Sequence, residues 1–196
     1  MNIVIVKYNA GNVKSVEIAL ERLGASSLLT DDPEKILSAD KIIFPGVGEA
    51  SSAMNYLKQR NLDATILAAK QPLLGICLGM QLMCLHSEEN NIQCLGVFNE
   101  HVLKFDAAQL HLKTPQIGWN NIYGLSTPLF KGVDENSYCY FVHGYYASSG
   151  QQTIATTKYG IEYSAALHQN NFYGVQFHPE KSADIGSKII QNFIDL

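Results

Sequence analysis

The sequence lacks the features that mark nucleic-acid-binding, membrane and secreted proteins. It has no long basic run and a net charge of −4, so neither nucleic acid nor an anionic membrane would attract it electrostatically. No apolar stretch reaches the length of a transmembrane helix. The first residues also lack the charged region and the length of a signal peptide. We therefore expect no nucleic-acid partner and no membrane association.

Cysteine is scarce and carries no pairing pattern. The four cysteines contain no C-x-x-C pair, and a chain of 196 residues does not need disulfides to be stable. The six histidines show no metal-ligand spacing. The absence of these patterns predicts reduced thiols in a cytoplasmic protein with no metal. The length of the chain is suited to one domain, over residues 1–196.

Short apolar runs alternate with helix-like segments up to about residue 90. Apolar residues recur at helical spacing between residues 12 and 23, and Gly24 follows them as a helix terminator. Strands are predicted at 3–6, 27–29, 41–44 and 73–76, and helices at 12–23, 33–39, 50–56 and 63–70. This β-α-β-α order predicts a parallel sheet covered by helices.

From about residue 95 the chain consists mainly of strand-like segments separated by turn residues. These segments are 95–105, 118–123, 138–147, 153–159, 164–168 and 172–177, and helical spacing returns at 183–196. The sequence therefore predicts an α/β fold with a mostly parallel central sheet flanked by helices and an antiparallel portion in its second half.

The most informative motif is Gly75-Ile76-Cys77-Leu78-Gly79. It follows an apolar run and has the G-x-S-x-G form of a nucleophile elbow, with Cys in place of Ser. The two glycines allow a sharp strand-to-helix turn that lifts the side chain out of the sheet. A thiol at a helix N-terminus also loses its proton more easily. Taken alone, the motif could equally be a tight corner that holds a buried cysteine.

A second motif, Phe177-His178-Pro179-Glu180, offers a base and a carboxylate to orient it. A lone histidine is more often structural. Together with an elbow cysteine, however, the chain order Cys77, His178, Glu180 indicates a catalytic triad.

Other residues have two open interpretations. The Pro-Gly-Val-Gly loop at 45–48 could point N–H groups at an oxyanion, or it could be an ordinary turn. Trp119 could pack in the core or anchor a partner. Cys84, on the helix that follows Cys77, is expected to be a core residue, as are Cys94 and Cys139.

In combination these motifs resemble the class I, or triad, glutamine amidotransferases. Within that family the chain is similar to the glutaminase subunits of imidazole glycerol phosphate synthase. The stretches that carry the resemblance span the chain: 8–15, 45–48, 75–81, 87–89, 118–120, 140–143 and 178–182. The resemblance implies the family's flavodoxin-like fold, hydrolysis of glutamine to glutamate and ammonia, and no cofactor.

The resemblance also implies residue roles. The catalytic residues would be Cys77, His178 and Glu180. Backbone groups of Val47, Gly48 and Leu78 would form the oxyanion hole. The residues implied to bind glutamine are Gly46, Gln81, Glu89, Gly144 and Tyr145. Gly144 departs from the family pattern, in which a hydroxyl residue is frequent at this position.

A partner is implied as well, a cyclase subunit with a HisF-like β/α barrel in a heterodimer. The cyclase would use the ammonia to make imidazole glycerol phosphate and aminoimidazole carboxamide ribotide in histidine biosynthesis. The implied interface residues are Asn12, Trp119, Tyr140 and Lys181. Two alternatives stay open: a paralogue that donates ammonia to a surface-sugar synthase, and a cysteine hydrolase of the same fold that works without a partner.

Overall fold

The computed structural model describes residues 1–8 and 12–196, apart from the side chains of residues 109 and 110. Residues 9–11, which belong to the 8–15 motif, therefore lie outside the described part of the chain. The first half alternates strands and helices, as the sequence predicts. Its elements are β1 (Ile3–Val6), α1 (Val13–Arg22), β2 (Ser27–Thr30), α2 (Pro33–Leu37), β3 (Lys41–Gly46), α3 (Ala50–Gln59), α4 (Leu62–Ala68), β4 (Leu73–Cys77) and α5 (Leu78–Leu82).

Local sequence explains where several of these helices begin and end. The Asp32 side chain accepts the Glu34 N–H at 3.0 Å, and Pro33 occupies the first helical position of α2. At α3 the Glu49 carboxylate accepts the N–H groups of residues 51 and 52. Past the end of α1, Gly24 has φ +74°, a conformation that glycine adopts without strain.

The second half is mainly β structure with one long helix. Its elements are β5 (His86–Ser87), β6 (Ile92–Gln93), β7 (His101–Lys104), α6 (Ala107–Leu110), β8 (Gln116–Ile122), β9 (Ser137–His143), β10 (Tyr145–Ala147), β11 (Thr153–Tyr159), β12 (Ile161–Gln169), β13 (Phe172–Val175) and α7 (Ala183–Asp195). Short 3₁₀ turns cover Pro128–Phe130 and Pro179–Lys181.

The main sheet has seven strands in the order β11-β12-β13-β4-β3-β1-β2. Strands β13, β4, β3, β1 and β2 are parallel, whereas β11, β12 and β13 pair antiparallel. A four-stranded sheet, β10-β7-β5-β6, and a two-stranded ribbon, β8-β9, complete the β structure. The expected fold class is confirmed, and β4, which ends at Cys77, lies in the middle of the parallel part.

Both faces of the main sheet are apolar and covered. On one face, Val4 and Val6 pack with residues of α2, α3, α4 and α5. On the other, Ile3 and Ile5 pack with residues of α1 and α7. Alternation along β1 sends successive side chains to the two cores. Among the described residues, no helix is both long and apolar enough to cross a bilayer.

After α5 begins, the structure departs from the sequence-based expectation in several places. Of the predicted strand 95–105, only His101–Lys104 pairs as a strand. The N–H groups of Leu95 and Phe98 instead bond to the carbonyls of residues 82 and 83 at the end of α5. The predicted strand 138–147 is interrupted at Gly144. The two-residue strands β5 and β6 were not predicted, and Cys84 lies beyond the end of α5 rather than on it.

Candidate active site

Cys77 occupies a strained turn between β4 and α5. Its backbone has φ 52° and ψ −108°, which L-residues rarely adopt. The flanking glycines are needed for close approach. A Cβ at Gly79 would lie 1.8 Å from the Phe44 carbonyl oxygen, and one at Gly75 would lie 2.8 Å from the Met80 nitrogen. This geometry is that of a nucleophile elbow.

The segment that carries His178 is anchored to β9. The His178 N–H donates to the Tyr140 carbonyl at 2.8 Å. The Ser182 hydroxyl accepts the Tyr140 N–H at 2.9 Å and donates to the His178 carbonyl at 2.7 Å. These bonds hold the imidazole in one position, because they join both ends of the 178–182 turn to the same strand.

His178 lies between a thiol and a carboxylate. Its Nδ1 is 2.8 Å from Glu180 Oε1, and both side chains are buried, with 2% and 0% of their surface exposed. Cys77 lies near enough to act on the charge of His178. The structure thus brings together the three residues that the sequence proposes as a triad.

The surroundings of His178 favour its protonated form. Burial alone would lower the pKa of His178, but the Cys77 thiolate and the Glu180 carboxylate raise it to about 10. Asn12 donates from Nδ2 to Glu180 Oε1. Glu180 Oε2 is buried and has no hydrogen-bond partner in the described part of the chain. A charged imidazolium between a cysteine and a glutamate is the arrangement that activates a cysteine.

Cys77 opens onto a cavity of about 350 Å³. The residues that line it include most of those implied by the resemblance. They are Val47, Gly48, Cys77, Leu78, Gln81, Glu89, Val142, His143, Gly144 and Tyr145. Gly46 is the exception, because it lies at the end of β3, paired with Cys77, and does not line the cavity. Its implied role as a glutamine-binding residue stays a prediction.

Backbone donors lie on two sides of Cys77. Leu78 is the first residue of α5, so its N–H is one of the free donors at the helix start. Val47 and Gly48 follow the end of β3, where Gly46 pairs with Cys77, and Gly48 has φ +120°, a conformation open to glycine. These are the residues expected to form the oxyanion hole.

Part of the cavity wall is formed by polar side chains. Gln81 Nε2 donates to the Tyr145 carbonyl at 2.8 Å and to Gln176 Oε1 at 2.9 Å. Glu89 Oε2 accepts the Ala50 N–H at 2.7 Å. Burial raises the pKa of Glu89, and the Ala50 hydrogen bond opposes that shift. A carboxylate and an amide therefore line the same cavity as the thiol.

His143 lines the same cavity but is electrostatically unlike His178. Burial lowers the pKa of His143 to about 4, against the opposing effect of its bond to the Tyr145 carbonyl. Its Nδ1 lies 2.7 Å from that carbonyl oxygen, and its Nε2 lies 3.1 Å from the Tyr163 hydroxyl. His143 is thus neutral, with both nitrogens engaged, and His178 is the histidine suited to proton transfer.

Gln176 is a site residue that the sequence-based reasoning missed. It is fully buried, and its Nε2 donates to Cys77 Sγ at 3.6 Å. Gln176 precedes His178 by two positions, so in an extended segment both side chains point to the same face. The sequence signal that could have identified Gln176 is that a polar residue interrupts the otherwise apolar run 172–177.

The other cysteines have no access to the cavity. Cys84, Cys94 and Cys139 are buried thiols that do not line it. Burial raises the pKa of Cys94 to about 11 and that of Cys139 to about 12. Within the described ranges, no group of three or more His, Cys, Asp or Glu residues could hold a metal ion.

An exposed apolar surface lies on the β8-β9 ribbon. Ile117, Trp119 and Tyr138 are 64%, 53% and 60% exposed. Trp119 pairs across the ribbon with Tyr140, and their rings meet edge to face at 5.9 Å. Lys181 is also exposed. Asn12, the fourth residue implied at an interface, directs its amide to Glu180, and its interface role stays a prediction.

Comparison with known proteins identifies related chains. The glutamine amidotransferase class-I family profile matches residues 4–196. The imidazole glycerol phosphate synthase subunit HisH of Bacteroides fragilis (strain YCH46) is 50% identical over 196 residues, which cover 100% of both chains. Subunit HisH 1 of Vibrio vulnificus (strain YJ016) is 44% identical over 201 residues, covering 99% of this chain and 98% of the relative.

Solved structures share the fold at low sequence identity. A glutamine amidotransferase from Thermotoga maritima superposes with a TM-score of 0.67 at 18% identity, covering 100% of this chain and 83% of that one. PurLQS from Thermotoga maritima gives a TM-score of 0.74 at 17% identity, covering 99% and 97%.

Proposed function

The chain belongs to the class I glutamine amidotransferase family, and from that membership we propose that residues 1–196 form one glutaminase domain whose triad is Cys77, His178 and Glu180. Its function is that of the glutaminase subunit of imidazole glycerol phosphate synthase in histidine biosynthesis. One observation carries the assignment of the triad. His178 bonds to Glu180 and interacts electrostatically with Cys77, which lines the candidate cavity.

The reaction proceeds through a thioester. The Cys77 thiolate attacks the side-chain amide carbon of glutamine, and the amide π electrons move to oxygen. His178, already an imidazolium, gives its proton to the leaving nitrogen as the C–N bond breaks and ammonia departs. It then takes a proton from water, which attacks the thioester and releases glutamate and the thiolate. Glu180 holds the imidazole in orientation throughout.

The oxyanion formed in each step needs donors beside Cys77. The Leu78 N–H, at the start of α5, is one of them. The second comes from the backbone of Val47 or Gly48, which follow the Gly46 partner of Cys77 and line the same cavity. Loss of one such donor typically costs on the order of 10²–10³-fold in kcat.

Glutamine recognition uses the polar side of the cavity. Glu89 pairs with the substrate ammonium group, since the Ala50 N–H takes one of its carboxylate oxygens and the other accepts no hydrogen bond from the described residues. Gln81 has both Nε2 hydrogens engaged, so its Oε1 faces the substrate. Gly144 and Tyr145 supply backbone and ring surface along the glutamine chain.

The chain works with a partner subunit of the synthase, as the subunit names of its relatives imply. We propose that this partner is a cyclase with a β/α barrel and that it docks on the β8-β9 ribbon. Three apolar side chains there are more than half exposed, and such patches mark interaction sites. Trp119, Tyr140 and Lys181 are the proposed contacts. Ammonia released into water would be protonated and lost as a nucleophile, so the glutaminase site and the cyclase site must be enclosed together.

A thiolate nucleophile also needs reducing surroundings, which suits the cytoplasm.

Glutaminase activity measured with and without the cognate cyclase and its ribotide ligand tests this function. We expect weak hydrolysis by the chain alone and strong hydrolysis in the loaded complex, with imidazole glycerol phosphate as product. Full activity without the cyclase would favour a partner-independent hydrolase. Ammonia transfer to a sugar synthase, and not to the cyclase, would favour the paralogue.

A further inference from the structure

Tyr8 places a polar atom in the core behind the candidate active site. The residue follows β1, is 5% exposed, and packs its ring against Phe44 with 5.0 Å between centroids. Its hydroxyl is buried and has no hydrogen-bond partner among the residues that the structure describes. Buried hydroxyls are nearly always bonded, and an exception needs an explanation. The ring packing accounts for the aromatic side chain but not for the hydroxyl.

The Tyr8 hydroxyl faces the backbone of the 45–48 loop, which carries the proposed oxyanion donors of Val47 and Gly48. A Cβ added to Gly46 would lie 2.0 Å from Tyr8 Oη and 3.0 Å from Leu78 Cβ. Gly46 pairs with Cys77 across β3 and β4. Tyr8 does not line the cavity, so it cannot touch glutamine. It lies behind the loop, within reach of the Gly46 backbone.

The geometry of a trans peptide connects the two sides of the loop. The C=O and N–H of one peptide point in opposite directions. If the Val47 N–H points into the cavity, the Gly46 carbonyl of the same peptide points away from it, toward the side where Tyr8 lies. Burial raises the pKa of Tyr8 well above its usual range, and the Cys77 thiolate adds to the shift. The phenol therefore keeps its proton and is able to act as a hydrogen-bond donor.

We propose that Tyr8 is a positioning residue for the oxyanion hole. Its hydroxyl donates to the Gly46 carbonyl in the conformer in which the Val47 N–H faces the cavity, and so stabilises that conformer. This inference rests on the proposed function, because it concerns the same oxyanion. It also explains the buried hydroxyl, whose acceptor is the Gly46 carbonyl once the Val47 N–H faces the cavity.

Tyr8→Phe tests the proposal, since it removes the hydroxyl and keeps the ring. In the complex with the cyclase and its ligand, we expect kcat to fall about tenfold, the effect of one neutral hydrogen bond, with KM within about twofold. The melting temperature should stay equal or rise, because an unsatisfied polar atom is removed. Tyr173→Phe, at another mostly buried tyrosine outside the cavity, should leave both kcat and KM unchanged.

A second readout uses the glutamine analogue glutamate γ-semialdehyde. Cys77 Sγ bonds to its aldehyde carbon while the π electrons move to oxygen, which gives an oxyanion that needs the same hole. Tyr8→Phe should weaken aldehyde binding by the factor lost in kcat. Wild-type kcat and aldehyde affinity in Tyr8→Phe would overturn the Tyr8 proposal alone. So would a loss of activity that comes from a raised KM and a lowered melting temperature. A wild-type complex that does not hydrolyse glutamine would overturn the proposed function together with this inference.

Discussion

Gln176 Nε2 donates to Cys77 Sγ across 3.6 Å, and the same amide accepts from Gln81 through its Oε1. One buried side chain therefore connects the nucleophile with a residue proposed to hold the substrate. This bridge exists because β13 pairs with β4 in parallel, with Val175 opposite Ile76. The residues that follow the two strands consequently meet.

Gln176→Met should impair both chemistry and binding. The thiolate loses a donor, and Gln81 loses the acceptor that orients it. We expect kcat to fall by about 10- to 100-fold, with a rise in KM, since a lost hydrogen bond to a charged group is worth about 1.5–3 kcal/mol. Steady-state glutaminase kinetics in the complex measure both constants. Gln93→Met, at an exposed position, is the matched control, and an unchanged KM would show that Gln81 does not depend on the bridge.

Only Cys77 should react as a nucleophile. Cys77→Ser should abolish glutamine hydrolysis, whereas Cys84→Ala should retain most of it, because the Cys84 thiol is buried and bonds to the Met80 carbonyl. A glutamine-analogue alkylator followed by peptide mapping identifies the labelled thiol. Modification of Cys84, or full activity in Cys77→Ser, would contradict the triad.

The triad should act as a unit. His178→Ala should cost about as much as Cys77→Ala, on the order of 10⁴-fold or more, and the double variant should cost little more. Glu180→Gln should be about a hundredfold less severe, because an orienting oxygen remains. Single-turnover rates in the complex provide the comparison. Losses that multiply in the double variant would mean that His178 does not serve Cys77.

Stability should fall as the pH drops from 6.5 to 4, in part through His143. Its native pKa of about 4 lies below the ordinary 6.5, so in that window the unfolded chain binds more protons. The stabilisation is present above pH 6.5 and lost toward pH 4, by about 3 kcal/mol at most. His178 acts in the opposite sense, since its raised pKa contributes stability that is lost as the pH rises toward 10.

Urea unfolding across pH 4.5–7 measures the slope due to His143. His143→Gln should flatten it, while His101→Gln, at an exposed position, should leave it unchanged. An identical slope in His143→Gln would show that other groups govern acid sensitivity.

Trp119→Ala should weaken cyclase binding or uncouple glutaminase activation by about 1–3 kcal/mol. More than half of the Trp119 surface is exposed, so its fluorescence should be quenched readily in the free chain and protected in the complex. Leu67→Ala, at an exposed apolar site on α4, controls for loss of apolar surface elsewhere. A sharp fall in melting temperature with intact coupling would assign Trp119 to the fold.

The first half of the fold follows from the sequence because its signals are local. Buried parallel strands appear as continuous apolar runs, and caps such as Asp32 mark where helices begin. The region after α5 was harder to predict. Residues 95–98 look like a strand, yet their N–H groups satisfy carbonyls at the end of α5, and periodicity carries no information about such partners.

The candidate site also has parts that local sequence predicts and parts that it does not. The elbow around Cys77 and the turn at His178 are contiguous motifs, so the sequence names them directly. The contacts of Gln176 and of the Val142 carbonyl with Cys77 Sγ depend on which strands become neighbours. The position of Tyr8 behind the loop was equally invisible, because the surroundings of a buried hydroxyl are a property of packing and not of any local pattern.

The position of β13 beside β4 also has a consequence for biosynthesis. Strands β1 to β4 can pair as soon as they leave the ribosome, but the second neighbour of β4 is encoded near the C-terminus. Until Phe172–Val175 emerges, Leu73–Cys77 is an open, entirely apolar edge, the kind of edge that pairs with other chains. A stalled or truncated chain would therefore be aggregation-prone as well as inactive, and a chaperone that shields this edge should raise the yield of folded protein.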